Sequence, residues 1–276
     1  MTGLLQLVAT PIGNLGDISP RAVEALESAD VVCCEDTRRT GSLLRHLGIR
    51  AAELRRFDDH TEFDAIPELI QRLVGGATVV VVSDAGTPGI SDPGQRLVAA
   101  AVEADVSVTS LPGPVAAVTA LVASGLTTER FVFEGFLARR GNERREQLEA
   151  IAAQPRTTVF YESPNRLAAT LQDLAECCGP DRRAVVGREL TKLHEELRRG
   201  SLDELANWAA EGVKGEIVVV VDGAPPTGDV DDEAIVSALT HELAAGASRR
   251  DAVERVQAAT GARRKRVYNL ALTLDS

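Results

Sequence analysis

Short apolar runs rich in valine alternate along the first half of the chain with segments whose apolar residues recur at helical spacing. The strand-length runs are Leu4–Ala9, Val31–Glu35, Glu53–Phe57, Thr78–Ser83 and Val106–Leu111. Most are apolar throughout rather than alternating, which suits strands buried on both faces and predicts a parallel sheet wrapped by helices. The segments between them carry helix signals. Ser19 stands at a cap position with Pro20 at the first helical position, and Ala65, Ile66, Leu69, Ile70 and Leu73 share one face. An alanine-rich helix is expected over Ala116–Gly125.

The pattern changes character at Phe131–Phe136 and resumes with strands at Thr157–Tyr161, Ala184–Arg188 and Glu216–Asp222. A further strand through Glu195–Arg199 would make this second sheet mixed. Gly223 to Val230, with two prolines and two glycines, reads as a linker. Beyond it three helical patterns fill Asp231–Ser276, the second capped by Ser248 and stopped at Gly261, the third running from Arg263 to Leu272. Two helices joined by a short glycine-containing turn resemble a helix-turn-helix. The expected organisation is an α/β chain: a first lobe over 1–116, a second over 117–222, a linker over 223–230 and a helical domain over 231–276.

Composition narrows the partners. Of 276 residues, 44% are hydrophobic and only 3% aromatic, so the cores are aliphatic. A net charge of −11 excludes a surface that is basic all over, and nucleic acid would have to meet a local patch. From Gly246 onward there are seven basic residues against three acidic, a net of +4 that leaves −15 on the rest. Within that run Arg249, Arg250, Arg263, Arg264, Lys265 and Arg266 are candidate RNA contacts, although a solvated helix face gives the same pattern. The four cysteines form two adjacent pairs, Cys33-Cys34 and Cys177-Cys178, which lack zinc-site spacing and read as small buried hydrophobes in a reducing cytosol. Met1–Thr10 has neither a charged n-region nor a long apolar stretch, and no run approaches the ~20 apolar residues of a membrane span. A cytoplasmic protein with no membrane partner is expected.

Three loops carry the candidate chemistry. Ser83 to Gly94, SDAGTPGISDPG, follows a valine strand and is rich enough in glycine and proline to bring backbone close to a ligand. It matches neither a P-loop nor a dinucleotide fingerprint, which argues against nucleotide triphosphates and nicotinamide cofactors. Leu111–Val115 and Thr10–Asn14 also follow strands, and parallel strands would bring all three loops to one edge. Glu35-Asp36-Thr37-Arg38-Arg39 opens at the same level; Asp36 or Thr37 could equally be a helix cap. In the second lobe, Tyr161–Arg166 and Arg188–Lys192 end strands with polar groups, with Ser163 and Pro164 explained by helix initiation.

Taken in order, ATPIGNLGDI (9–18), EDTR (35–38), VSDAGTPGISDPG (82–94), LPGP (111–114), FYESPNR (160–166), RELTK (188–192), Lys214-Gly-Glu216 and Arg266-Val-Tyr268 resemble the tetrapyrrole methylase superfamily. Within it the similarity is to the small-subunit ribosomal RNA methyltransferases that act on a cytidine 2′-hydroxyl. That resemblance implies a two-lobed homodimer that binds S-adenosylmethionine between its lobes, releases S-adenosylhomocysteine and engages 16S rRNA of the 30S subunit through its helical tail. By motif, it implies cofactor contacts at Pro11, Gly13, Asp84, Ala85, Gly86, Thr87, Ile90, Pro112, Gly113, Pro114 and Ala116, with Tyr161 and Leu190 from the second lobe. Transfer from a sulfonium needs no metal. A ribose hydroxyl is a weak acid, so a base or a cation helps expose its lone pair; Asp36 or Glu35 is the candidate base, with Arg38 orienting a flanking phosphate and Tyr161, Glu162 or Lys192 as second choices. Methylation of a corrin precursor, methylation of a modified histidine on an elongation factor, and a ligand-sensing nucleic-acid-binding regulator stay open as alternatives.

Overall fold

The computed structural model describes residues 3–225, 231–244, 246–260, 262 and 264–274. The expected helix stop at Gly261, the candidate contact Arg263 and linker residues 226–230 lie outside the described residues.

The first sheet contains β1 (Leu4–Val8), β2 (Val31–Cys34), β3 (Leu54–Arg56), β4 (Thr78–Val82) and β5 (Ser107–Leu111), in the order β3-β2-β4-β1-β5. Every pairing is parallel. Helices α1 (Pro20–Ser28) and α2 (Thr37–Leu47) supply one covering layer, and α3 (Glu62–Val74) and α4 (Gln95–Glu103) the other. The period-two alternation of a strand explains the continuous valine runs. Val31, Cys33, Val79 and Val81 enter the core with Leu69, Leu73 and Leu97, while Val32, Cys34, Val80 and Val82 enter the core with Leu26 and Leu44. Adjacent Cys33 and Cys34 therefore serve opposite cores, and burial pushes the Cys33 thiol up to about 12. Cys177 departs from the expected burial: it is exposed near the end of a second-lobe helix.

Strands β1, β2 and β4 stop one residue earlier than their apolar runs suggest, and β3 is one residue shorter at each end. Ala9, Glu35 and Ser83 instead begin the loops, where the Ser83 hydroxyl donates to the Gly86 carbonyl and Glu35 accepts the Asp84 N–H.

Helix α5 (Ala116–Ser124) leads to the second sheet of β6 (Phe131–Phe136), β7 (Thr157–Glu162), β8 (Arg183–Arg188), β9 (Glu196–Ser201) and β10 (Ile217–Val221), ordered β6-β7-β10-β8-β9. Only β6–β7 is parallel, so the sheet is mixed as expected. Phe131–Phe136, which gave no clear strand signal, is an edge strand whose register shifts between Phe133 and Phe136. Helices α6 (Gly141–Ala153), α7 (Pro164–Cys178) and α8 (Leu202–Ala210) cover one face through Leu148, Leu171 and Leu205. On the other face α5 packs Ala117, Ala120 and Leu121 against Val159, Val185, Val218 and Val220. Ile12, from the first lobe, joins that same cluster and ties the two sheets together.

The tail folds as α9 (Asp232–Ala244), α10 (Arg249–Thr260) and α11 (Arg264–Thr273) around its own core of Ile235, Leu239, Val253, Val256 and Val267. Ser248 caps α10 by accepting the Asp251 N–H. Among the described residues no helix is long and apolar enough to cross a membrane.

Candidate active site

Strands β4, β1 and β5 are neighbours and parallel, so the loops that follow them leave from one sheet edge. They are fastened to one another. Thr10 and Gly86 exchange backbone hydrogen bonds of 2.9 and 3.1 Å, the Thr10 hydroxyl donates to the Ser83 carbonyl, and the Thr87 hydroxyl donates to the Pro114 carbonyl at 3.2 Å. The loop after β2 joins through a reciprocal pair: Asp84 N–H donates to Glu35 Oε1 at 3.1 Å and Asp36 N–H donates to Asp84 Oδ1 at 3.0 Å. Gly86 sits at φ +91°, a left-handed conformation that favours glycine at this turn.

These loops form one side of a cavity of about 370 Å³, and the second lobe forms the other. Ile12, Val115, Ala116, Leu190 and Val218 give it an apolar lining. Glu35, Asp84, Asp92, Glu162 and Glu216 also line it, and among the described residues no lysine, arginine or histidine does. The carboxyl groups differ in state. Burial raises Glu35 above the ordinary carboxylate range, against the opposing pull of the Asp84 N–H. Burial, and then the neighbouring Glu35 charge, push Asp92 up to about 7. Its neighbour Ser91 is held at φ +62°, an uncommon conformation for a residue with a side chain.

The second-lobe wall is built differently. Glu162 is buried and fully engaged: Oε1 accepts from Ser163 N–H and Arg166 Nε, both at 2.6 Å, and Oε2 accepts the Thr170 hydroxyl at 2.7 Å. Tyr161 packs against Phe133 and Phe136 with ring centroids 5.0 and 5.5 Å away, and its hydroxyl accepts the Ala117 N–H at 3.4 Å. Lys192 Nζ bridges Glu189 and Glu216 at 2.8 and 2.9 Å. Burial would lower its pKa, but the two carboxylates outweigh this and raise it, which favours the charged amine.

Residues 5–206 match the family model for tetrapyrrole (corrin/porphyrin) methylases. A relative from Mycobacterium tuberculosis, named ribosomal RNA small subunit methyltransferase I, is 51% identical over 273 residues, covering 98% of this chain and 95% of that one. The chain belongs to the ribosomal RNA small subunit methyltransferase I family. A Synechocystis member of the same name is 44% identical, with 99% of both chains covered. The fold is shared more widely. A solved uroporphyrin-III C-methyl transferase from Thermus thermophilus, complexed with S-adenyl homocysteine, superposes with a TM-score of 0.57 at 17% identity, covering 79% of this chain and 96% of that one.

Of the positions that the family motifs single out, Asp84, Ala85, Gly86, Thr87, Ile90, Ala116, Tyr161, Leu190 and Glu35 line the cavity. Pro11, Gly13, Pro112, Gly113 and Pro114 are not among the lining residues. Two of these glycines have packing reasons: a Cβ on Gly13 would collide with Lys192 Cγ, and one on Gly113 would lie 2.7 Å from Ala9 Cβ. Asp36 is spent on structure. Its carboxylate caps α2 through Arg38 N–H at 2.8 Å and pairs with the Arg38 guanidinium at 2.9 Å. That guanidinium, followed by the same N–H, holds the Asp36 carboxyl far below the usual range. Arg38 is exposed beside it rather than in the cavity. Ser163 occupies the first cap position of α7 without a side-chain cap bond and lines the cavity instead. In the tail, Arg250, Arg264 and Lys265 are exposed, Arg249 is exposed and engaged, and Arg266 is half-buried with its Nε 2.9 Å from Asp232. Asp92 and Phe136 are cavity residues that sequence reasoning passed over. Asp92 stands within the singled-out glycine-rich loop, and Phe136 within the stretch where the pattern changed character.

Proposed function

We propose that this chain is a cytoplasmic, homodimeric methyltransferase that modifies the 2′-hydroxyl of a cytidine in the decoding region of 16S rRNA, presented by the assembled 30S subunit. Its methyl donor is S-adenosylmethionine and its by-product S-adenosylhomocysteine. The observation that carries this reading is the cavity between the lobes, apolar with a few convergent carboxyl groups, on a chain similar over nearly its full length to relatives of that name. The residues fit the donor. Aliphatic side chains suit a nucleoside body, the Asp84–Thr87 loop offers close backbone approach, and a cation-free acidic lining suits a positive sulfur. In this division of labour 1–116 supplies the donor loops, 117–222 the facing wall, and 231–276, beyond the linker 223–230, additional RNA contacts through Arg249, Arg250, Arg264, Lys265 and Arg266.

S-adenosylmethionine, when bound, supplies a methyl group already made electrophilic by its sulfonium. The chain's part is to align the acceptor oxygen, exclude water and receive a proton. Asp92 is the base. A carboxyl group near pKa 7 is substantially ionised at neutral pH and yet basic enough to accept a proton from a hydroxyl hydrogen-bonded to it. Glu35 faces the same cavity, and its charge adds to the effect of burial in raising Asp92. Loop bonds hold Glu35 in place, whereas the bonds around Glu162 leave that carboxylate no free role.

The test is transfer of tritiated methyl from S-adenosylmethionine to 30S subunits from a strain lacking the modification, with the labelled nucleotide mapped. Label on a cytidine 2′-oxygen is expected. Unlabelled subunits despite measurable donor binding would remove the rRNA substrate and turn attention to corrin or protein acceptors.

A further inference from the structure

Among the described residues no basic side chain lines the cavity, so the phosphates flanking an inserted nucleotide must stay at its rim. The cations around that rim are mostly committed to carboxylates: Arg38 to Asp36, Arg39 to Asp84, Arg166 to Glu162, Arg188 to Glu196, and Lys192 to Glu189 and Glu216. Arg139 and Arg140 are different. Both are exposed, and among the described residues neither has an ion pair or a side-chain hydrogen bond. They follow closely on Phe136, which lines the cavity with 57% of its surface exposed in a chain that has few aromatics.

The backbone explains this placement. A regular strand would send Phe133 and Phe136 to opposite faces. The register shift, with Gly135 at φ +64°, lets both rings meet Tyr161. The next residues are clamped by side chains: Arg166 Nη2 donates to the Leu137 carbonyl at 3.0 Å, Arg144 Nη1 donates to the Ala138 carbonyl at 3.2 Å, and Ala138 N–H donates to Gln147 Oε1 at 2.8 Å. The result is an aromatic surface at the cavity mouth followed by two uncommitted guanidinium groups on a fixed backbone.

We propose that Phe136–Arg140 is an RNA subsite, in which Phe136 stacks on a base adjoining the reacting nucleotide while Arg139 and Arg140 hold the flanking phosphates. This rests on the rRNA reading above and specifies how that substrate is presented. Splayed, unstacked nucleotides are recognised by aromatic stacking and by guanidinium contacts to phosphate. Position also separates this subsite from the tail: it adjoins the cavity, where the register of the target nucleotide is set.

The experiment compares wild type, Arg139→Ala/Arg140→Ala and Phe136→Leu in methyl transfer to 30S subunits and in binding of a single-stranded cytidine oligonucleotide across a salt series. The double arginine variant is expected to raise KM for subunits on the order of tenfold. It should also flatten the dependence of log affinity on log salt by roughly 1.4, two phosphate contacts at ~0.7 each. Arg139→Lys/Arg140→Lys should restore the slope, which a misfolded variant would not do. Phe136→Leu should weaken oligonucleotide binding on the order of tenfold, with Phe136→Trp recovering it. Wild-type affinity and salt slope in the double alanine variant would overturn the subsite. Should wild type fail to methylate subunits, the rRNA reading falls, and the oligonucleotide salt slope alone decides whether Phe136–Arg140 binds RNA.

Discussion

The loop edge of the first sheet and the facing end of the second both bring acidic residues to the cavity, but they use them in different ways. In the first lobe, Glu35 and Asp92 remain only partly compensated, and burial raises both. In the second, Glu162 is more deeply buried and has spent its carboxylate on a backbone N–H, a guanidinium and a hydroxyl. Burial of an acid is therefore a poor guide to its role. Where nearby donors satisfy the carboxylate it holds structure; where they fall short, the proton is held more tightly and the group becomes suited to proton transfer.

The largest expected effect is at Asp92. Asp92→Asn should lower kcat by roughly 10²–10⁴ while donor affinity, measured calorimetrically, is retained. In the wild type, kcat/KM should rise with pH and level off above about 7, because the base must be ionised. Stability runs the opposite way. A carboxyl group whose folded pKa is raised contributes stability below its unfolded value, and that contribution is lost as pH climbs through about 7. Asp92→Asn should accordingly melt at or above the wild-type temperature at neutral pH. A variant with wild-type turnover would return the base to Glu35.

Next is the second-lobe network. Arg166→Ala leaves buried Glu162 without its counter-charge and should cost about 3 kcal/mol, read by urea denaturation. Thr170→Val removes a buried donor from the same carboxylate and should cost roughly 1.5 kcal/mol, with Tm falling accordingly. If both variants kept wild-type stability while turnover collapsed, Glu162 would belong to the chemistry and the contrast between the lobes would dissolve. The smallest effect is expected at Asp36. Asp36→Ala removes the cap of α2 and should lower Tm modestly, leaving turnover within a few-fold of wild type. A loss as deep as that of Asp92→Asn would break the distinction between the neighbours Glu35 and Asp36.

Much of the fold is legible in the sequence. The continuous valine runs gave the parallel sheet, and loops following strands β1, β4 and β5 do converge, because those strands are adjacent and parallel. The acidic motif was located correctly at a sheet edge, but which of its two carboxylates faces the cavity was not readable from adjacency alone. Asp36 has the sequence signature of a helix cap and adopts that role, leaving Glu35 as the cavity residue. Phe136 was hidden for a different reason: a register shift undoes the alternation on which strand reading depends.

The sequence by itself determined the periodicities, the turn chemistry of the glycine- and proline-rich loops, the helix starts and the family motifs, all consequences of residues a few positions apart. Tertiary structure alone decided which acids are desolvated and which are paired. Asp92 acquires its state from burial and then from the charge of Glu35, distant in sequence, and Glu162 loses its freedom to Thr170 on the following helix. Desolvation and Coulomb interaction depend on distance through space, and that distance is set by strand order and by the packing of one lobe on the other.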